Sequence, residues 1–203
     1  MTFGTMKNLK THHKIAFLLL TISFSHSVYA KNEREDKLEL PSLLAMFAQQ
    51  KKSTVDFIEE KHAFFLDEPM KSSGYIEFSA PNILNKYILK PEVASQKIKN
   101  NILEIKNLSE SHTIDLNDHP EFSVLLQSII NVLSGDLVSL KKDFKITFTN
   151  SFSDWTIFLT PHDSYILGYV ESIKMFGNKN KLSKIIVTEP NKDRSITFLS
   201  NHR

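Results

Sequence analysis

Residues that commonly catalyse reactions or bind metals are few in this chain, and their spacing suits neither role. There is no cysteine, and no histidine beyond residue 30 lies two or four residues from another. Those spacings would place two imidazoles on one face of a strand or helix. The chain also lacks a glycine-rich phosphate-binding loop and the G-x-S-x-G motif of hydrolases. The sequence therefore predicts no metal site and no bound cofactor.

Two short runs contain the residue types of hydrolytic sites without their arrangement. Residues 162–164 read His-Asp-Ser directly after Pro161, and adjacent loop residues cannot face one another as a triad, so we interpret them as a solvated turn. Glu59, Glu60 and Lys61 close a predicted strand and are interpreted as an exposed strand end. The paired carboxylates of a glycosidase would instead flank a cleft. We therefore do not expect an enzyme.

The side chains that remain as candidates for binding a ligand are apolar. The chain has fifteen phenylalanines against five glycines and one tryptophan. Phenylalanine-rich strands are common in the cores of β proteins, and they also line cavities that hold lipids. Composition does not separate these two uses.

Period-two alternation of apolar residues predicts strands along most of the chain. It is cleanest in the run Phe-Lys-Ile-Thr-Phe that begins at Phe144. The predicted strands are residues 53–60, 74–78, 83–89, 93–98, 102–106, 113–116, 144–148, 155–159, 168–175, 182–188 and 196–199.

Two helices are predicted. The first is short and runs from Pro41 to Lys52. The second covers residues 120–134, begins with a proline and ends at Gly135. Its large apolar residues recur with the 3.6-residue helical period and are Phe122, Leu125, Leu126, Ile129, Ile130 and Leu133. This helix either caps a sheet as part of the core or forms a lid that moves to admit a ligand, and both can hold at once.

Neither helix lies between parallel strands in a βαβ rhythm. We therefore predict an α+β fold, a single highly curved antiparallel sheet that forms an open half-barrel, with helices covering its concave face. Strand parity supplies candidate cavity residues, although parity alone leaves open which face points inward. The candidates are Phe57, Ile76, Phe78, Tyr87, Leu89, Leu103, Ile105, Phe144, Ile146 and Phe148. The candidate lid residues are Phe122, Leu126, Ile129 and Ile130.

The first thirty residues are typical of a secretory signal peptide. A basic start precedes an apolar run from Ile15 to Phe24, and the segment closes on small residues at Ala30. The run is too short to span a bilayer, although an N-terminal membrane anchor is the alternative. Cleavage after about Ala30 would leave one domain, residues 31–203, outside the cytoplasm. No cysteine follows that could carry a lipid anchor.

Charge and cysteine content narrow the location and the partners. Residues 31–203 carry 22 basic and 23 acidic side chains, so this near-neutral domain is not predicted to bind nucleic acid. A domain without disulfides must rely on its core for stability, which fits a bacterial periplasm. We expect a monomer there.

Residues 53–61 and 72–91 resemble the periplasmic outer-membrane lipoprotein carriers, the LolA-like family. In that family a strand ends in a polar Gln-Lys or Glu-Lys pair, and a glycine-containing strand then enters an Arg-Pro-Asn turn and an aromatic-rich strand. The matching residues here are Glu60, Lys61, Gly74, Phe78, Pro81, Asn82 and Asn85. The resemblance extends over roughly residues 42–199. It includes the helix after His119, Trp155 and a final hairpin after Pro190.

The chain departs from the family pattern before the Pro-Asn pair. Family members have an arginine there that tethers the helical lid by hydrogen bonds, whereas this chain has Ala80. The aromatic residue expected soon after the turn is delayed to Tyr87, behind Lys86. The lid must therefore be held in another way, and the cargo is either a lipoprotein or another acyl-lipid.

The resemblance implies a carrier that shields acyl chains in an apolar half-barrel for transfer to the outer membrane. Its implied partners are an acylated lipoprotein or other acyl-lipid, an inner-membrane donor transporter and an outer-membrane acceptor. Two alternatives stay open. One is a cell-envelope assembly or interaction module that binds a protein segment in the groove. The other is an enzyme acting on lipid or sugar substrates.

Overall fold

The computed structural model describes residues 38–151 and 154–203. The predicted signal peptide, residues 1–30, lies outside the described residues. The described residues form four helices and eleven strands, and the strands make one antiparallel sheet that does not close into a barrel. Together with the curl of the sheet, this confirms the predicted α+β half-barrel. No helix in the described ranges is both long and apolar enough to cross a membrane.

The helices are α1 (Leu40–Ala48), α2 (Pro120–Ser134), α3 (Leu137–Asp143) and α4 (Ser164–Leu167). The strands before α2 are β1 (Lys52–His62), β2 (Met70–Ser79), β3 (Ile83–Lys90), β4 (Ala94–Lys99), β5 (Ile102–Asn107) and β6 (Ser111–Asp115). Those after α2 are β7 (Phe144–Ser151), β8 (Asp154–Pro161), β9 (Ser172–Asn178), β10 (Lys181–Thr188) and β11 (Arg194–Ser200).

Two meanders make up the sheet. The strand order is β6-β5-β4-β3-β2-β1-β11-β10-β9-β8-β7, so β1 and β11 join the meanders at the centre. Strands β6 and β7 are consecutive in the chain yet lie at opposite edges. The segment between them, α2 and α3, must therefore cross the sheet from one edge to the other. This topology is why an amphipathic helix covers the face rather than an edge.

Buried apolar residues form two clusters, and α2 contributes to both. The larger cluster packs α1 residues, among them Leu44 and Phe47, against β7, β8, β9 and β10. The smaller cluster joins the β2–β6 side of the sheet to Ile130 of α2. The helix thus holds the two meanders together from above.

Local sequence explains both ends of α2. Pro120 occupies the first turn, and Gly135 ends the helix in the left-handed region at φ 80°. A Cβ atom added to Gly135 would approach the Leu44 carbonyl oxygen to 2.7 Å and the Ala48 Cβ to 2.8 Å. Glycine is required there for both conformation and close approach to α1. The predicted span 120–134 is confirmed.

Two short helices, α3 and α4, were not foreseen, and α4 corrects the strand predicted at residues 168–175. That strand begins only at Ser172, because α4 and a turn precede it. The Asp163 carboxylate accepts a hydrogen bond from the Tyr165 N–H at 2.7 Å and caps α4. Asp136 caps α3 in the same way, accepting from the Ser139 N–H at 2.9 Å. The His-Asp-Ser run is therefore a helix start.

Candidate functional site

A cavity of about 510 Å³ lies between the concave face of the sheet and α2. This volume falls within the roughly 300–1,000 Å³ of small-molecule sites. The strand residues that line it are Ser53, Val55, Glu59, Lys61, Ile76, Phe78, Leu84, Lys86, Gln96, Ile98, Leu182, Ile185, Val187, Ser195, Thr197 and Leu199. The central strands β1 and β11 therefore form its floor.

Helix α2 forms the roof. Its lining residues are Glu121, Phe122, Leu125, Leu126, Ile129 and Leu133. The N-terminal end of α2 lies near Tyr169, and the C-terminal end packs through Leu133 onto the cluster that contains Phe47. The cavity thus extends along the helix, with an apolar middle.

The predicted cavity residues fall into three groups. Those that line the cavity are Ile76, Phe78, Phe122, Leu126 and Ile129. Those that share the inward face but are used in packing are Phe57, Leu103, Ile105, Ile130, Phe144, Ile146 and Phe148. Their role in holding a ligand stays a prediction. The third group, Tyr87 and Leu89, was placed on the wrong face.

Strand pairing explains the error in β3. Ile76 pairs with Lys86 and Phe78 with Leu84, so the even-numbered residues of this part of β3 point into the cavity. Tyr87 lies on the outer face, where its ring stacks on Tyr75 at 4.7 Å between centroids. Leu89 follows on the same face and is 53% exposed. The inward residue at this point of β3 is Lys86, whereas its neighbour Tyr87 is apolar. The alternation of apolar residues therefore indicated the wrong face of β3 as the inward one.

Charged side chains inside the cavity were missed by the sequence analysis. Glu59 and Lys61, interpreted as an exposed strand end, line the cavity together with Lys86. The Lys86 Nζ lies 2.7 Å from the Glu59 Oε2, and the Thr197 hydroxyl donates to that same oxygen at 3.0 Å. Their inward parity is visible in the sequence only after register is known.

The charged end has three further features. The Lys86 ammonium lies 4.7 Å from the centroid of the Phe57 ring, a cation–π contact. Lys61 pairs with Glu189 at 3.7 Å. At the start of α2, the pKa of Glu121 is lowered, first by its own backbone N–H and then by a hydrogen bond with the neighbouring His119. Glu121 is therefore an anion at neutral pH.

The opposite end of the cavity is closed by aromatic packing. Phe47 lines the cavity and meets the Trp155 ring edge-on at 5.9 Å between centroids. The Trp155 indole N–H donates to the Lys179 carbonyl at 2.7 Å. His202 also lines this end, and its pKa is lowered by burial and by nearby Lys181. It is therefore neutral at physiological pH and adds no charge here.

The roof helix is tied to the sheet by amides. The Gln127 side-chain N–H donates to the Asn101 side-chain oxygen at 3.1 Å, and the Asn101 amide donates to Asn117 at 2.6 Å. Asn101 lies in the β4–β5 turn, with φ 65°. Ala80, at the position of the arginine tether expected from the family resemblance, packs on the smaller cluster instead. The Gln127–Asn101 hydrogen bond is one way in which the helix is held.

Among the described residues, no three histidine or acidic side chains gather as metal ligands would. The arrangement combines an apolar channel with an ion pair at one end. It is suited to binding an amphipathic molecule.

Comparisons with known proteins agree with this architecture. A protein-family profile described as outer membrane lipoprotein carrier protein LolA-like matches residues 34–201. A comparison with curated protein sequences finds no significant match.

Several solved structures are similar to this chain at low sequence identity. A LolA superfamily protein from Nitrosomonas europaea has a TM-score of 0.43 and 10% identity, with 82% of this chain and 93% of that chain covered. A candidate outer membrane lipoprotein-sorting protein domain from Vibrio parahaemolyticus has a TM-score of 0.43 and 8% identity, covering 83% and 92%. The Pseudomonas aeruginosa MucA/MucB complex has a TM-score of 0.48 and 10% identity, covering 82% of this chain and only 57% of the matched chain.

Proposed function

Because the chain belongs to the LolA-like family of outer membrane lipoprotein carrier proteins, we propose that it is a periplasmic carrier of acyl chains. The cargo is a lipoprotein or a related acyl-lipid, and the chain lies in the cavity between the sheet and α2. The observation that carries this proposal is the apolar middle of the cavity, where Ile76 and Phe78 face Leu126 and Ile129.

The size of the hydrophobic effect constrains how such a carrier works. Burial of each methylene contributes about 0.8 kcal/mol, so one long chain gains on the order of 10 kcal/mol. Two or three fully buried chains would approach or exceed the ceiling of about 18–21 kcal/mol for noncovalent binding. A carrier that must release its cargo therefore buries part of it, or passes it on by direct contact. We propose an inner-membrane donor transporter and an outer-membrane acceptor as its partners.

In this proposal α2 acts as a lid. It contributes apolar residues to the cavity and to both core clusters, so a cargo chain enters only when the helix moves relative to the sheet. The Gln127–Asn101 hydrogen bond is one contact that must then break. It is an uncharged bond, with a net contribution of about 0.5–1.5 kcal/mol, and it opposes opening only weakly.

The experiment that tests the proposed function is purification of the chain from the periplasm without detergent, followed by native mass spectrometry and lipid extraction. A co-purifying acyl-lipid or lipoprotein near one-to-one stoichiometry would support the carrier and identify its cargo class. A lipid-free protein that also fails to bind acyl probes would exclude it.

A second candidate function is an envelope interaction module that binds a protein segment in the same groove. The observation that favours it is the presence of amide side chains, Gln50 and Gln96, along the lining. Such groups can hydrogen-bond a peptide backbone. Peptides that displace an acyl probe poorly, from a protein that binds acyl chains well, would exclude this module.

A further inference from the structure

The cavity has one charged end, at Glu59 and Lys86, and one uncharged end, where Phe47 lies beside Gln50, Ser53 and His202. This difference in charge has a consequence for the ligand. Resting on the carrier function proposed above, we propose that the cavity binds an amide-linked acyl chain in one orientation. The amide lies at Glu59 and Lys86, and the terminal methyl group points toward Phe47 and Trp155.

The charged end is assembled by strand register. Glu59 of β1 pairs with Thr197 of β11, and Lys61 pairs with Ser195, so all four side chains lie on the inward face of neighbouring strands. Lys86 reaches Glu59 from β3 across β2. Polar groups from three strands therefore meet at one point in the cavity.

The length of the cavity matches an extended chain. Ser53 and Glu59 both line the cavity and lie six residues apart on β1. At about 3.3 Å per residue, this part of the strand is ~20 Å long. The inward residues between them are Val55, which lines the cavity, and Phe57, which is buried beneath the Lys86 ammonium. A ligand with its polar group at Glu59 would place its apolar chain along Val55, toward Ser53.

The hydrogen-bonding capacity of the ion pair favours an amide. Lys86 and Thr197 both bond the Oε2 atom of Glu59, so the other carboxylate oxygen can accept a further hydrogen bond. A lysine ammonium has three N–H donors, and one of those of Lys86 is used by Glu59. The pair can thus accept one hydrogen bond from a ligand and donate another to it.

Among acyl linkages, an amide supplies both the donor and the acceptor that the ion pair can bond. Its N–H can donate to Glu59, and its carbonyl can accept from Lys86. An ester supplies only an acceptor. A free fatty acid supplies an anion. At this end of the cavity three carboxylates, Glu59, Glu121 and Glu189, outnumber two lysines, and Lys61 and Lys86 are each already paired with a carboxylate.

The first test compares two ligands that differ only in the linkage, which contains an N–H group in the amide and an oxygen atom in the ester. An N-acyl ethanolamine and the corresponding ester, of equal chain length, are titrated into the full chain and followed by calorimetry. We expect the amide to bind about tenfold more tightly, because the ester leaves the free Glu59 oxygen without a donor. Equal affinities would overturn the inference but leave the carrier function standing. Binding of neither ligand would contradict the carrier function itself.

Substitutions assign the effect to the ion pair. Glu59→Gln replaces one acceptor oxygen by an NH2 donor. Lys86 and Thr197 use the oxygen that remains, so the amide N–H of the ligand loses its acceptor and the variant is expected to bind both ligands alike. The matched control is Glu77→Gln, at a partly exposed position of β2 whose parity points away from the cavity. An amide preference that survives in Glu59→Gln would overturn the assignment. Urea unfolding of both variants separates a binding effect from a folding effect.

The single tryptophan of the chain reports the orientation. Trp155 is 2% exposed and touches Phe47 at the uncharged end of the cavity. Two N-acyl ethanolamines carry a nitroxide quencher either near the amide or near the terminal methyl group. We expect stronger quenching of Trp155 fluorescence by the second probe. Equal quenching or the reverse order, at saturating ligand, would overturn the proposed orientation.

The amide could belong to a free lipid or to an N-acylated lipoprotein terminus. An N-acylated peptide of the same chain length distinguishes these sources by competition. Competition equal to that of the ethanolamide would indicate a lipoprotein terminus. Failure to compete would indicate a small-headed lipid. Either result is compatible with amide recognition at Glu59.

Discussion

The two sides of the sheet use the same strand alternation for different purposes. Beneath α1, strands β7, β8 and β9 form a packed half, in which inward residues such as Ile157 and Ile173 are fully buried. Beneath α2, strands β1, β2, β3 and β11 form a cavity half, whose inward residues include Glu59 and Lys86. The difference shows that a helix in close contact makes core from a sheet face, whereas one that leaves space makes a binding site.

The largest predicted effect is a difference in stability when the same substitution, phenylalanine to alanine, is made in each half. Phe144→Ala, in the packed half, removes a ring that is 2% exposed and is expected to lower the free energy of unfolding by about 3–5 kcal/mol. Phe122→Ala, at the cavity, removes a ring that is 47% exposed and is expected to cost less than about 1 kcal/mol. Urea unfolding measures both, and similar costs would contradict the division.

The next largest effect on stability is expected at Gly135, which joins α2 to the packed half of the sheet. Gly135→Ala places a Cβ against α1 at a positive φ, so we expect a loss of at least about 1–2 kcal/mol of unfolding free energy. Gly168→Ala is the matched control, because its φ is −70° and its nearest contact is 3.1 Å. Equal unfolding midpoints for the two variants would show that the fold does not depend on the close approach of the Gly135 backbone to α1.

The connection from α2 to the packed half depends on pH through Asp136. Hydrogen bonds from the Ser139 backbone N–H, and then from its hydroxyl, lower the pKa of the Asp136 carboxyl. Because the folded pKa is the lower one, the carboxylate stabilises the fold above the unfolded-state pKa. This contribution is lost as pH falls through the folded pKa. Asp136→Ala is expected to cost about 1 kcal/mol at neutral pH.

Urea unfolding at neutral and acidic pH measures this contribution. Asp136→Asn keeps a capping oxygen without the charge, so it should preserve most of the stability at neutral pH and show a weaker acid dependence than the wild type. An unchanged acid dependence in Asp136→Asn would assign the effect to other carboxylates.

The smallest effect concerns the roof of the cavity half. Gln127→Ala removes the hydrogen bond to Asn101, whose net contribution is about 0.5–1.5 kcal/mol, equivalent to a two- to tenfold faster release of an acyl probe. Stopped-flow displacement measures the rate. Gln49→Ala, at an exposed position after α1, should release the probe at the wild-type rate. Unchanged release in Gln127→Ala would show that other contacts hold the helix.

Sequence patterns predicted the elements better than the site. The α2 bounds were correct because a proline, a 3.6-residue apolar period and a glycine all indicate the same helix. Ile76 and Phe78 were assigned to the cavity because they are apolar and share one face of β2, and both line it. The short helices α3 and α4 were missed, since each depends on a local aspartate cap with little apolar periodicity.

The errors at the cavity share one physical cause. Tyr87 was chosen because it shares a strand face with the apolar residue Leu89, yet its pairing partner Tyr75 lies on the outer face. Lys86 was passed over because charged residues are usually exposed. A lysine can face inward when a carboxylate lies within reach, and here that carboxylate is Glu59, 27 residues earlier in the chain.

The sequence by itself determined the order of the strands and of the two longer helices, the antiparallel α+β class and the family resemblance, because these depend on local periodicity and turn residues. Only the tertiary structure decided which parity faces inward in β3, and which apolar residues are core and which line a cavity. Those outcomes depend on register between strands and on how closely α1 and α2 approach the sheet. Both are set by contacts between residues far apart in the chain, which local pattern does not encode.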